Sequence, residues 1–152
     1  MAGQNRSGGH EQMVPRISEI LSSAITSRRR IAIRYKNQTH IRILEPHILY
    51  RTRSGRCVVE SYQVRGYSSG GRVPPFWRPF QLRKINSVDV LDEMFEPRMG
   101  EGFEAIRKLI TGEILCVIDA APNEYTFLNP AIYGPPKPED WGDVTRRLQS
   151  YA

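Results

Sequence analysis

Between Arg30 and Glu93 apolar residues recur at every second position in short runs, and turn-forming residues separate the runs. A period of two marks strands, whose successive side chains point to opposite faces. Ile31, Ile33 and Tyr35 alternate with Arg30, Ala32, Arg34 and Lys36; after an Asn37-Gln38 turn, Ile41 and Ile43 alternate with His40 and Arg42. Pro46 is predicted to end that strand, because it has no N–H for a ladder, and Ile48 to Tyr50 begin another. Arg51 to Arg56 reads as a basic hairpin loop turning at Gly55, and Cys57 to Gln63 as a central strand, apolar on both faces at its start. A loop from Gly66 to Pro75 carries Gly70-Gly71 and Pro74-Pro75. It leads into Trp77 to Ile85 and Val88 to Phe95, two strands joined at Asn86-Ser87, with Phe80 and Leu82 on one face and Gln81 and Arg83 on the other. About six short strands with tight turns predict a small barrel or sandwich.

The flanks have a different character. Residues 1–14 are polar and Gly-rich and are predicted to form a disordered tail. Pro15 stands where helices start, and Ile17, Ile20, Leu21, Ala24 and Ile25 make one apolar stripe at helical spacing. Met99, Phe103, Ile106 and Ile110 predict a helix stopped at Gly112, and Ile114 to Ile118 a short buried strand. Five prolines between residues 120 and 138, with Tyr125, Phe127 and Tyr133 among them, predict an extended arm; Trp141, Val144, Leu148 and Tyr151 predict a last amphipathic helix. The resulting expectation is an α+β chain with a mainly β core: tail 1–14, a β-rich domain 15–96 with an N-terminal helix, and an extension 97–152.

Charge is unevenly placed. The chain of 152 residues has net charge +6, but residues 28–84 hold 14 Lys and Arg against only Glu45 and Glu60, a balance of +12. Residues 85–152 carry 6 basic and 12 acidic groups, a balance of −6. So dense a positive segment attracts polyanions. The alternative is that the acidic part folds over the basic part and neutralises it within the chain.

Signals for catalysis and metals are weak. His10, His40 and His47 show no zinc spacing, no nucleophile elbow or phosphate-binding Gly loop is present, and Cys57 and Cys116 sit apart in apolar runs as small hydrophobes rather than as a disulfide. Asp89, Asp92, Glu93 and Glu96 read as a solvated strand edge. No apolar run approaches a membrane span and no secretory signal is evident. A non-enzymatic, cofactor-free, cytoplasmic protein that does not enter membranes is expected.

The order of these signals resembles the WYL domain, found mostly in bacterial transcription regulators and in proteins tied to phage defence. The similarity runs from about Ile20 to Phe95. It rests on Ala24-Ile25, Arg30-Ile31-Ala32-Ile33-Arg34-Tyr35, and Arg42 followed by Pro46 and Leu49. It continues through Gly55-Arg56 and a strand ending at Tyr62 to Arg78-Pro79-Phe80-Gln81-Leu82, Lys84-Ile85, Val88 and Phe95. The resemblance implies an Sm- or SH3-like small β-barrel that senses ligands, nucleic acids and nucleotides above all. Three departures stand out: Cys57-Val58-Val59 replaces the naming Trp-Tyr-Leu triplet, Arg83-Lys84 replaces an Asp-Arg, and too few residues precede the first helix for a winged helix-turn-helix.

Charge and resemblance together select a binding face. Arg34, Arg42, Arg78 and Lys84 are the expected phosphate contacts, with Gln81 and Arg83 beside them, on a face that also collects Arg30, Lys36 and His40. Tyr35 and Tyr62 are candidate stacking platforms, with core packing the alternative for both. The expected partner is single-stranded nucleic acid or a nucleotide-like ligand, with a second copy or a separate DNA-binding protein as a further partner. The rival reading is a protein-interaction or oligomerisation subunit docking through the C-terminal extension.

Overall fold

The computed structural model describes residues 4–119, with side chains from Met13 onward. The proline-rich arm and the helix expected around Trp141 lie outside the described residues. Helix α1 (Gln4–Ser27) leads into strands β1 (Arg29–Tyr35), β2 (Ile41–Arg51), β3 (Cys57–Gly66), β4 (Phe76–Gln81) and β5 (Ile85–Met94). A short helix α2 (Phe103–Leu109) and strand β6 (Glu113–Val117) follow. The result is α+β and mainly β, one antiparallel six-stranded sheet with two helices.

The main path of the sheet runs β4-β3-β2-β1-β5, with β6 on β2. β4 and β5 are therefore opposite edges, yet only the 3-10 turn Leu82–Lys84 joins them. Laid flat at ~4.8 Å spacing, these five strands would hold the edges ~19 Å apart; three 3-10 residues advance only ~6 Å. The sheet must roll. Two bonds mark the near-meeting of its ends: the Gln81 N–H donates to the Tyr35 hydroxyl (3.0 Å) and the Lys36 N–H to the Lys84 carbonyl (2.9 Å). No ladder joins β4 to β5, so the sheet is curled but unclosed.

Both faces of the sheet are covered. Ile17, Leu21, Ala24 and Ile25 of α1 are buried on one side together with Ile31, Ile33, Leu44, Val59 and Phe80. Burying one such Leu or Ile is worth about 1.5–3 kcal/mol. On the other side the segment after β5 folds back: Phe95, Phe103 and Ile106 enter the core with Trp77 and His47, and the Trp77 indole N–H donates to the Glu101 carbonyl (3.0 Å). Among the described residues no helix is long and apolar enough to cross a membrane.

Several local expectations are corrected. α1 begins at Gln4 and takes Pro15 inside it, so the helix includes most of the segment read as a tail. Pro46 does not end a strand: β2 passes through it, and a register shift between Pro46 and Ile48 absorbs the missing donor. Asn86-Ser87 is not a turn; it lies in β5, and the chain turns at Leu82–Lys84, where Leu82 is buried as a core contact. Asn86 instead braces the β1–β2 turn, where Lys36 and Asn37 both have positive φ (55° and 58°): the Asn37 N–H donates to Asn86 Oδ1 (2.6 Å). The helix stripe splits into a 3-10 turn at Met99–Glu101 and α2, with Ile110 already extended. Gly112 is required by proximity rather than by a helix stop, since a Cβ there would collide with the Arg51 carbonyl. β6 is an outer strand, leaving Ile114 and Leu115 exposed. Cys57 and Cys116 are half-buried free thiols.

Candidate functional site

The polar core is divided by the sheet. On the α2 side stands Glu45, fully buried in the middle of β2. Its Oε1 accepts from Arg98 Nε (2.6 Å) and its Oε2 from Arg98 Nη2 (3.0 Å), with Arg30 Nε also donating to Oε2 (2.9 Å). Arg30 reaches Glu93 as well (2.8 Å), which in turn accepts from Arg65 (2.9 Å). The hydrogen bonds that Arg98 donates to Glu45 raise the Arg98 pKa against the opposing effect of burial. Arg30 is raised too, burial being outweighed by its bonds to Glu93 and Glu45. The Arg98 guanidinium lies 5.0 Å from the Tyr62 ring centroid, and beside it His47 is fully buried. The Arg98 N–H donates to His47 Nε2 (3.1 Å), which places the imidazole proton on Nδ1, donating to the Glu45 carbonyl (2.8 Å). Burial pushes the His47 pKa down to about 3. Every charge here has a partner, so this cluster is structural.

The other side holds Arg42, and its situation is the reverse. Arg42 pairs with Ile33 across β1 and with Gly66 across β3, so it shares a face with core residues and is only 1% exposed. Three rings surround its guanidinium, with centroids 5.5 Å (Tyr35), 5.3 Å (Tyr67) and 5.5 Å (Phe80) away. Nη2 donates to Gln38 Oε1 (3.2 Å), whereas Nε and Nη1 are buried without a partner. Burial lowers the Arg42 pKa and the charge of Arg78 lowers it further, while Tyr35 and Tyr67 oppose them; no carboxylate acts on it. Arg78 is half-buried, 5.9 Å from the Phe80 centroid, with one long hydrogen bond to Ser69 Oγ (3.5 Å).

Sequence reasoning alone does not reach the residues that complete this cluster. Gly66 (φ 99°) takes a backbone position that no side chain could share, because a Cβ would strike the Ile41 carbonyl oxygen. That approach lets the Tyr67 N–H donate to the same carbonyl (3.2 Å) and sets Tyr67 over Arg42; its ring also stacks on exposed His40, centroids 4.6 Å apart and 15° from parallel. Ser61 is the cross-strand neighbour of Arg78, and Gln63 lies two positions along on that face; both are fully buried. Gln63 Nε2 donates to the Tyr67 carbonyl (2.8 Å) and the Arg65 carbonyl (3.3 Å), leaving Oε1 an acceptor without a partner, as are the hydroxyls of Ser61 and Ser68. The available signal was two polar residues, Ser61 and Gln63, spaced by two inside a central strand.

The structure brings together Arg42, Arg78 and Tyr35, with Gln81 half-buried at the rim through its backbone bond to Tyr35. It removes others from the expected site. Arg42 is not on an exposed hairpin face: the alternation runs one residue out of step with the prediction, exposing Ile41 (47%) and burying Arg42. Arg34 pairs with Ile41 and points to the opposite face. Tyr62 is buried against Trp77 under Arg98 and offers no stacking platform; Tyr35 is a core residue whose edge meets Phe80 at 5.1 Å. Arg83 is exposed and Lys84 half-buried on the 3-10 turn.

Among the described residues, acidic side chains neutralise some of the cations and not others. Arg28 pairs with Glu96, Arg30 and Arg65 with Glu93, and Arg51 with Glu113. Glu45 is spent in the interior with Arg30 and Arg98, so it does not offset the Arg42 side. No family model, curated protein or solved structure matches the chain.

Proposed function

We propose that this chain is a non-enzymatic ligand-binding module of the WYL type. It holds single-stranded nucleic acid or a nucleotide-like anion at Arg42 and Arg78 and acts in transcriptional or defence-related control. The observation that carries the proposal is the buried Arg42 guanidinium, two of whose nitrogens have no partner and on which the charge of another arginine, Arg78, acts. A buried unpaired charge is destabilising by several kcal/mol unless a counter-charge arrives. A bound anion supplies it, and the half-buried Tyr67 with exposed His40 stacked on it suits a molecule that carries bases as well as phosphate. The rolled sheet, with its edges linked by a 3-10 turn, is in keeping with an SH3-like barrel and so with that family.

The test is binding of a single-stranded oligonucleotide as a function of salt. Affinity falls with a clear log–log slope as condensed counterions are released. Arg78→Ala weakens binding by roughly tenfold or more, the loss of a charge-assisted hydrogen bond. Arg53→Ala, on the exposed hairpin loop, changes it far less. A flat salt profile with equal losses in both variants would rule the assignment out.

A further inference from the structure

The geometry points to a terminal phosphate monoester, carried by a mononucleotide or by the phosphorylated end of a single strand, as the group that seats on Arg42. This inference rests on the anion-binding reading above and narrows it. The first argument is charge. Arg42 and Arg78 are neighbours, and neither has a carboxylate partner among the described residues. A phosphodiester brings one negative charge, whereas a monoester at neutral pH brings about −1.5 to −2 and three free oxygens. Two guanidinium groups match the monoester.

The second argument is access. Arg42 is 1% exposed and walled by Tyr35, Tyr67 and Phe80. An internal phosphodiester continues as chain on both sides, so reaching the free Arg42 nitrogens would force two sugars into the walls. A monoester has one ester link and enters end-on. The third argument is the donor and acceptor set. Arg42 Nε and Nη1 leave N–H groups without a partner, and the Ser61 hydroxyl, across the strand from Arg78, adds a donor for the three free oxygens of a monoester. Gln63 Oε1 is held as an acceptor by the two carbonyls that its Nε2 serves, and the free sugar hydroxyl of a mononucleotide is a donor for it. At the mouth, the exposed ring of His40, stacked on Tyr67, offers a face for the attached base.

The test uses the full chain and an octathymidylate strand in three forms at one salt concentration, 5′-phosphorylated, 3′-phosphorylated and hydroxyl at both ends, with thymidine 5′-monophosphate then added as competitor to the tightest-binding form. At least one phosphorylated form binds roughly tenfold tighter than the hydroxyl-ended strand, the scale of one charge-assisted hydrogen bond. The advantage disappears in Arg42→Met and, should that variant not fold, in Arg78→Ala. Displacement by the mononucleotide identifies the free nucleotide as sufficient; an advantage without displacement assigns the strand end. Equal affinity for phosphorylated and hydroxyl-ended strands overturns this inference and leaves the broader anion reading standing. Absence of binding to every form overturns both.

Discussion

Two arginines, Arg98 half-buried and Arg42 fully buried, lie on opposite faces of the same curled sheet, and they are treated in opposite ways. Arg98 meets Glu45 through two parallel hydrogen bonds, shares it with Arg30, and seals His47 behind it. Arg42 is walled by three rings where Arg98 meets one, and it has one neutral acceptor, two idle nitrogens and a second arginine for a neighbour. Burial of a charge is tolerable when its partner is part of the fold. Where no carboxylate partner stands among the described residues, stability is given up at a defined place, and ligand binding is the economical explanation for keeping the charge there.

The comparison breaks most visibly if the paired side is opened. Glu45→Ala takes the shared buried carboxylate from half-buried Arg98 and Arg30, leaving them only Glu101 and Glu93, and lowers stability by ~1.5–3 kcal/mol, read as a drop in the urea midpoint at unchanged m-value. A drop below 1 kcal/mol would mean that the Arg98 side is no better paired than the Arg42 side.

Acid sharpens it next. His47 is neutral in the folded chain down to about pH 3, while in the unfolded chain it takes up a proton near pH 6.5. Between those values the unfolded state binds the extra proton, so this group's contribution is fully present above 6.5 and is lost as pH falls toward 3. The slope is up to about 1.4 kcal/mol per pH unit. Denaturant titrations across that window should show it, and His47→Gln should remove one proton's worth of slope even though its overall stability is lower. An unchanged slope would place the acid sensitivity elsewhere.

The smallest effect belongs to the solvated cations. Arg53→Ala, exposed on the β2–β3 hairpin, shifts stability by less than about 0.5 kcal/mol, and thermal melts suffice to check it. A larger shift would show that the basic surface is itself part of the structural pairing.

The local rules carried much of this fold. The alternation of Ile31, Ile33 and Tyr35, the hairpin turning at Gly55 (φ 87°) and the α1 stripe were legible because each follows from a period or a turn residue. The division of the polar core was not. Arg42 and Ile41 exchange faces relative to the pattern, because the hydrophobic period in that short run is satisfied equally well one residue out of step, and a bulge between Ile43 and Leu44 absorbs the difference. Arg98 lies 53 residues from Glu45 in sequence, and pairing at that range leaves no local trace. Glu45 itself was the clue: an acid inside an apolar strand needs a buried partner. Tyr67 was hidden in a stretch read only as a loop, and its placement depends on the tight approach at Gly66.

The most direct measurement compares Arg42→Met with Arg98→Met by thermal melting, each with and without a 5′-phosphorylated octathymidylate strand. Arg98→Met melts well below the wild type, since it leaves Glu45 short of a partner. Arg42→Met melts at or above the wild type, because an apolar chain replaces an unpaired buried charge, and it alone loses the upward shift that ligand gives the wild type. If Arg42→Met instead melts as low as Arg98→Met and still shifts with the phosphorylated strand, Arg42 is a structural arginine like its counterpart and the binding site lies elsewhere.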